Sequence, residues 1–251
     1  MTNVRMYKSA NVRIGESADL RYELKMVCDR HRLAQIRSWV RLHPAGFAVA
    51  YPPRRVNSLY LDTPHLSSLN ENLEGVSARN KLRLRWYGDD VTSIQPYLEI
   101  KRKRNLLGGK ERYLLSGRLD LGLTWREILG VIKKETRFLC KQRGKNPVST
   151  LVSTLLETVN QPTLLNRYQR EYYVTPDGAI RVTLDFDQVA YDQRLSLRPN
   201  LRLKLPIDDT VVIEIKTGQE HAERLRQAVA WFPVRRSRNS KYVGGVLAAL
   251  G

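Results

Sequence analysis

Residues 81–88 read KLRLRWYG, so Lys81, Arg83 and Arg85 alternate with Leu82, Leu84 and Trp86. That spacing predicts a strand with one apolar face and one face made only of cations. The pattern recurs. DLRYELKMV (19–27) sets Arg21, Glu23 and Lys25 against Leu20, Tyr22, Leu24 and Met26. YLEIKRK (97–103) sets Glu99, Lys101 and Lys103 against Leu98 and Ile100, and KERYLLS (110–116) places Lys110 and Arg112 together. IRVTLDFD (180–187) aligns Arg181, Thr183, Asp185 and Asp187, and VVIEIK (211–216) aligns Glu214 and Lys216. Like charges side by side on a sheet repel one another, so such faces need counter-charges. Arg21 beside Glu23 and Glu99 beside Lys101 offer some pairing, but cations exceed carboxylates. Enclosed in a tube, the surplus asks for a bound polyanion, and a linear chain of phosphates fits that description. Arginine contacts phosphate bidentately and lysine acts as a point charge.

Other chemistries find less support. His31, His43, His65 and His221 are scattered, and Cys28 and Cys140 form neither a zinc spacing nor a disulfide framework. The carboxylates on the same faces suit a divalent ion with oxygen ligands.

These residues need strands to align them and helices to cover the apolar faces. VNSLYLD (56–62) reads as a further strand, and Gly108-Gly109 as the tight turn between 97–103 and 110–116. A helix is expected over 29–42, N-capped by Asp29, with Leu33, Ile36 and Val40 on one stripe. Residues 66–73 suggest a short helix. Thr124 and Glu127 form a capping box that opens a helix to about Cys140, and Asn146-Pro147 begins another. Residues 219–232 form a last helix, stopped by Pro233, and 192–209 is irregular and basic. The expected class is α+β, with one domain over 18–251 after an N-terminal extension at 1–17. Solvent faces of sheets favour β-branched polar residues, and these faces carry Arg, Lys, Glu and Asp instead. A sheet closed into a barrel, with helices packed outside, would enclose them.

The chain carries 43 Lys and Arg against 25 Asp and Glu, a net charge of +18, which favours polyanionic partners without choosing among them. No apolar run is long enough to span a membrane, and YVGGVLAALG at the end is about half the length needed. With its cysteine usage, a cytoplasmic protein is expected.

RYELKM, SLYLDTPHL, KLRLRWYG, LEIKRKR, GGKERY, RYQREYY, IRVTLDFD, VVIEIK and SKY occur in an order that resembles the VTC domain. That is the polyphosphate polymerase module of the vacuolar transporter chaperone complex and its bacterial relatives, within the triphosphate tunnel (CYTH-like) superfamily. The resemblance runs from about residue 18 to 245. It implies an eight-stranded antiparallel tunnel, ATP and inorganic polyphosphate as ligands, and a Mn²⁺ or Mg²⁺ ion. Nucleic acid is not expected. The regulatory SPX domain and the membrane segments of the eukaryotic complex have no counterpart in these residues, so regulation or transport would call on another chain, such as a membrane protein.

By this resemblance Lys25 is the lysine of the first-strand motif, Arg83 and Arg85 are the paired arginines, and Lys101 and Lys110 belong to the central hairpin. Arg170 and Arg181 are the later arginines, Lys216 lies in the Glu-x-Lys strand, Glu214 is the metal-binding glutamate, and Lys241 closes on the phosphates. Without the resemblance Lys241 reads as a surface lysine. Glu23 and Glu99 either bind metal or orient lysines, and Asp185 and Asp187 could do either. Two positions depart from the pattern. The hydrolytic branch opens with Glu-x-Glu-x-Lys, whereas Arg21 stands first here and counts as a substrate contact. Asn72 stands where some polymerases carry a basic residue. Trp86, Tyr87, Tyr172 and Tyr173 read as packing residues in preference to platforms for a base, the alternative being that one of them stacks on adenine. The expected activity is transfer of the γ-phosphate of ATP to a growing polyphosphate chain. The alternatives are a metal-dependent tripolyphosphate or nucleoside triphosphate hydrolase, or a non-catalytic polyanion binder.

Overall fold

The computed structural model describes residues 21–104, 107–142 and 147–251. Its strands are β1 (Arg21–Asp29), β2 (Ala48–Asp62), β3 (Ala78–Tyr87), β4 (Ser93–Ile94), β5 (Tyr97–Arg104), β6 (Leu107–Leu114), β7 (Leu119–Asp120), β8 (Gln161–Val174), β9 (Ile180–Asp192) and β10 (Thr210–Gly218). The helices are α1 (Leu33–Leu42), α2 (Ser67–Leu73), α3 (Trp125–Gln142), α4 (Pro147–Thr158), α5 (Ala222–Ala230) and α6 (Lys241–Leu250). The class is α+β, built on one large antiparallel sheet. Its strands follow the order β1, β10, β9, β8, β2, β3, β5, β6. β6 meets β1 again over two residue pairs, Arg21 with Gly108 and Tyr22 with Leu107.

Strict alternation explains the layering. Leu82, Leu84, Trp86, Leu98 and Ile100 are buried against Ile128 and Ile132 of α3 and Val152 and Leu156 of α4. Met26, Val182, Leu184, Ile213 and Ile215 pack against Leu33, Ile36 and Val40 of α1 and Leu225 of α5. Each fully buried side chain of this kind contributes roughly 1.5–3 kcal/mol. A one-residue slip of any strand would exchange its leucines for its arginines, so this burial fixes the register. The charged faces are left on the opposite side of the sheet.

α6 packs differently. Its Tyr242 and Val246 join Tyr60, Leu164 and Ala190. Tyr60 lies opposite Arg83 and accepts a hydrogen bond from it, so α6 covers part of the charged face and does not lie outside the sheet. Gly245 permits the approach: a Cβ there would stand 2.5 Å from Leu164 Cδ2. No helix among the described residues is long and apolar enough to cross a membrane.

Several local expectations are corrected. Asp29 ends β1 and makes no capping hydrogen bond; a single 3₁₀ turn, Arg30–Arg32, intervenes before α1. Gly108 and Gly109 lie within β6, opposite Lys103 and Arg102, and so do not form the expected turn. β8 was not anticipated, because its inward tyrosines blur the apolar–polar alternation. The extension at 1–17 and Asn146 also lie outside the described residues. Thr124 and Glu127 do form the capping box: Glu127 Oε2 accepts from the Thr124 N–H at 2.8 Å and from its hydroxyl at 2.7 Å.

Candidate functional site: an inward face of arginine and lysine

Three neighbouring strands carry one gradient. Along β3 the inward residues run Tyr87, Arg85, Arg83, Lys81. On β5, Tyr97 lies opposite Arg85, Glu99 opposite Arg83, and Lys101 opposite Lys81. On β6, Arg112 lies opposite Glu99 and Lys110 opposite Lys101. One end of the face is thus tyrosine and arginine, and the other is lysine.

Glu99 organises the arginine end. It is fully buried. It meets Arg83 Nη2 at 2.7 Å and Arg85 Nη1 at 3.7 Å, and also accepts from Arg112. The expected pair with Lys101 does not form, because cross-strand neighbours at the same level approach more closely than a residue two along. Burial opposes the Glu99 charge, yet Arg85, Arg83 and Arg112 hold its carboxyl well below the usual range. Arg85 further donates to Ser58 Oγ at 3.0 Å and to the Tyr168 hydroxyl at 3.2 Å. Arg112 donates to the Tyr87 hydroxyl at 2.7 Å.

Across the face, Asp185 and Glu214 form a second hub. Arg170 bridges them: Nη2 stands 2.6 Å from Asp185 Oδ2 and 3.2 Å from Glu214 Oε2. Lys216 reaches Glu214 at 2.7 Å and Lys25 reaches it at 3.3 Å. Lys241, at the first turn of α6, reaches Asp185 at 2.6 Å and is only 6% exposed, so it is no surface lysine. Ser240 N-caps this helix, and its hydroxyl accepts from Lys81 at 2.9 Å. Tyr242, next to Lys241, donates to the buried Asp62, which also receives the Ser68 and Leu69 N–H groups of α2. These bonds fix α6, and with it Lys241, over the face.

The lysines are crowded. Burial, then Lys101, Lys25, Arg79 and Arg83, bring Lys81 down to about 7. Burial brings Lys101 to about 8, although Glu23 accepts from it at 3.0 Å. Burial and Arg112 bring Lys110 to about 7, while its side chain keeps contact with water. Lys25 moves the other way: burial opposes its charge, but Glu214 and Glu23 raise it.

Most of the expected residues therefore come together: Lys25, Arg83, Arg85, Lys101, Lys110, Arg170, Lys216, Lys241, Glu23, Glu99 and Glu214. Arg181 shares the inward parity but is exposed, opposite Lys216 near the start of β9. Arg21 pairs through its backbone with Gly218 and Gly108, and its side chain is outside the described residues. Asp187 leaves the face: the β8–β9 register shifts at Arg167/Gln169, Asp187 adopts φ 50°, and it pairs with Arg30 at 2.8 Å. Asn72 turns its amide onto its own helix, donating to the Ser68 carbonyl at 2.7 Å. Sequence reasoning left out Tyr168 as a site residue. It was legible in RYQREYY, where Tyr168, Arg170 and Tyr172 share parity. Its ring centroid lies 4.8 Å from Lys241 Nζ and 5.3 Å from Arg170 Cζ. Trp86 and Tyr173 are core residues as expected.

The carboxylates permit a limited test of metal binding. No group of three or more His, Cys, Asp or Glu side chains among the described residues could cage an ion. Glu23 and Glu214 flank the same Lys25 ammonium, at 3.5 and 3.3 Å. Two carboxylates suit an ion that takes its remaining oxygens from phosphate and water. Glu99 does not fit, because three arginines surround it.

The profile of the VTC domain family matches residues 20–250, and the chain belongs to that family. Solved structures similar to it include a Hippeastrum protein assigned as an adenylyl cyclase and showing a dominant triphosphatase activity. That likeness has 15% identity and a TM-score of 0.48, over 89% of this chain and 92% of that one. A Pyrococcus horikoshii OT3 protein gives 13% and 0.46, over 91% and 99%. A protein of Vibrio parahaemolyticus assigned as an adenylate cyclase gives 12% and 0.45, over 88% and 95%. A comparison with curated proteins finds no match.

Proposed function

We propose that this protein is a polyphosphate polymerase, transferring the γ-phosphoryl group of ATP to the terminal phosphate of a growing chain held within the ring of strands. The observation that carries this reading is the converging inward face, where, among the described residues, arginines and lysines from six strands and α6 surround Glu23, Glu99, Asp185 and Glu214. Phosphoryl transfer relies chiefly on positioning and charge neutralisation. Arg83 and Arg85 would fork onto the oxygens of the transferred group. Lys25, Lys216, Arg170 and Lys241 would exchange Asp185 and Glu214 for phosphate oxygens, and Lys101 and Lys110 would hold the chain.

The nucleophile also matters. A terminal phosphate is already anionic and needs no general base, whereas water benefits from one. The carboxyls of Glu23, Glu99, Asp185 and Glu214 are all held below their ordinary range; burial opposes this, and neighbouring cations overcome it. Carboxylates so stabilised are weak bases. With Arg21 standing where the hydrolytic branch has glutamate, this supports transfer to phosphate over hydrolysis. A divalent ion, Mn²⁺ or Mg²⁺, would be held by Glu214 and Glu23 and would neutralise phosphate charge. The test is incubation with ATP and Mn²⁺, with and without a short polyphosphate primer, and separation of the products on a gel. Long chains and ADP are expected, and an Arg83→Ala/Arg85→Ala variant should make none. Orthophosphate without chain growth would indicate the hydrolase, and ATP left intact would point to a binder.

A further inference from the structure

The arginine end of the face is edged by tyrosines that the phosphate chemistry does not use. Tyr87 and Tyr172 have inward parity and are half-buried, and neither joins the hydrophobic clusters. Arg54 stands between them: its Cζ lies 4.0 Å from the Tyr87 ring centroid and 4.9 Å from that of Tyr172, and its Nε donates to the Tyr172 hydroxyl at 2.9 Å. Tyr51, exposed at the same end of β2, meets Tyr172 edge-on at 5.7 Å. A flat guanidinium thus stands between two aromatic rings, and Arg54 is itself exposed.

We infer that this collar is the site for the purine base of the nucleotide donor. The inference rests on the polymerase reading and adds the orientation of the donor. A base and a guanidinium are both flat and both stack on aromatic faces. Going inward, the tyrosines come first and Arg85 and Arg83 follow, matching a base outside and phosphates inside. The donor enters base outward at the tyrosine end, and the chain extends toward Lys81, Lys101 and Lys110.

The test is calorimetric titration with ATP and, separately, tripolyphosphate, both with Mg²⁺, using the full chain and two variants. Stacking on an aromatic ring strengthens the binding of a base by about tenfold. The wild type should bind ATP more tightly than tripolyphosphate. In Tyr51→Ala/Tyr172→Leu the ratio of the two affinities should fall about tenfold, while Tyr172→Phe keeps it. Saturation-transfer NMR on the wild type should mark the adenine H2 and H8 protons. Equal affinity of the wild type for both ligands, or a ratio unmoved by the double variant, overturns the base site and leaves the polymerase reading intact. A wild type that binds neither ligand overturns both.

Discussion

The two ends of the charged face use different cations, and the difference is chemical. At one end Arg83, Arg85 and Arg112 converge on a fully buried Glu99, and a guanidinium is a rigid, planar fork. At the other, Lys81, Lys101 and Lys110 lie opposite or beside one another, with ammonium groups brought to about 7 or 8. A rigid fork suits the group that must be aligned for transfer. Mobile point charges suit a repeating chain that must slide. At the arginine end every guanidinium meets the Glu99 carboxylate, whereas at the lysine end Lys101 meets Glu23 and Lys81 donates to the Ser240 hydroxyl.

The largest expected effect comes from breaking the arginine end. Arg83→Ala or Arg85→Ala should reduce product formation by about three orders of magnitude, on the scale of losing a key electrostatic donor. Arg83→Lys keeps the charge but loses the fork, and should recover only part of the rate. Alanine variants at Lys101 or Lys110 should cost less, because neighbouring lysines share the chain. A loss at Lys101→Ala equal to that at Arg83→Ala would erase the distinction between the ends.

Next in size is Glu99→Gln. It leaves three arginines facing one another, and breaking a buried pair this way costs about 3–5 kcal/mol. Thermal unfolding should show a markedly lowered Tm. Tripolyphosphate should restore more of it than in the wild type, since it supplies the missing negative charge. A wild-type-like Tm would mean that Glu99 is not the organising charge.

The lysine end predicts a pH dependence. Ammonium groups near 7 or 8 lose protons as pH rises from 6.5 to 9, so affinity for tripolyphosphate should fall about tenfold, and binding should take up protons. The empty fold moves the opposite way. Unfolded lysines titrate near 10.4, so the unfolded chain binds more protons between pH 7 and 10, and stability from these groups rises over that window. Titrations in buffers of differing ionisation enthalpy would reveal the proton uptake, and its absence would mean the lysines stay charged when empty.

Lys241→Ala should have the smallest effect, weakening phosphate binding several-fold while Arg170 continues to pair Asp185. A larger loss would make α6 part of the transfer site, not a cover over it.

Much of this contrast was legible in KLRLRWYG and YLEIKRK, because period-two alternation fixes which side chains share a face. Two kinds of information were not legible. Pairing across strands depends on register, so Glu99 was set beside Lys101 although the fold places it among arginines. Long-range placement by packing was hidden as well: Lys241 looks exposed until Tyr242, Asp62 and Gly245 are seen to seat α6 on β8. The tyrosines were ambiguous for a related reason. Parity separates Tyr87 and Tyr172 from Trp86 and Tyr173, but only the structure shows Arg54 lying between the first two.

Phosphorus NMR of the purified protein with ATP, Mg²⁺ and a short primer tests the central claim most directly. Growth of internal-phosphate signal as the ATP γ signal decays, lost in Arg83→Ala/Arg85→Ala, is the predicted result. Orthophosphate as the only new phosphorus product besides ADP would contradict it.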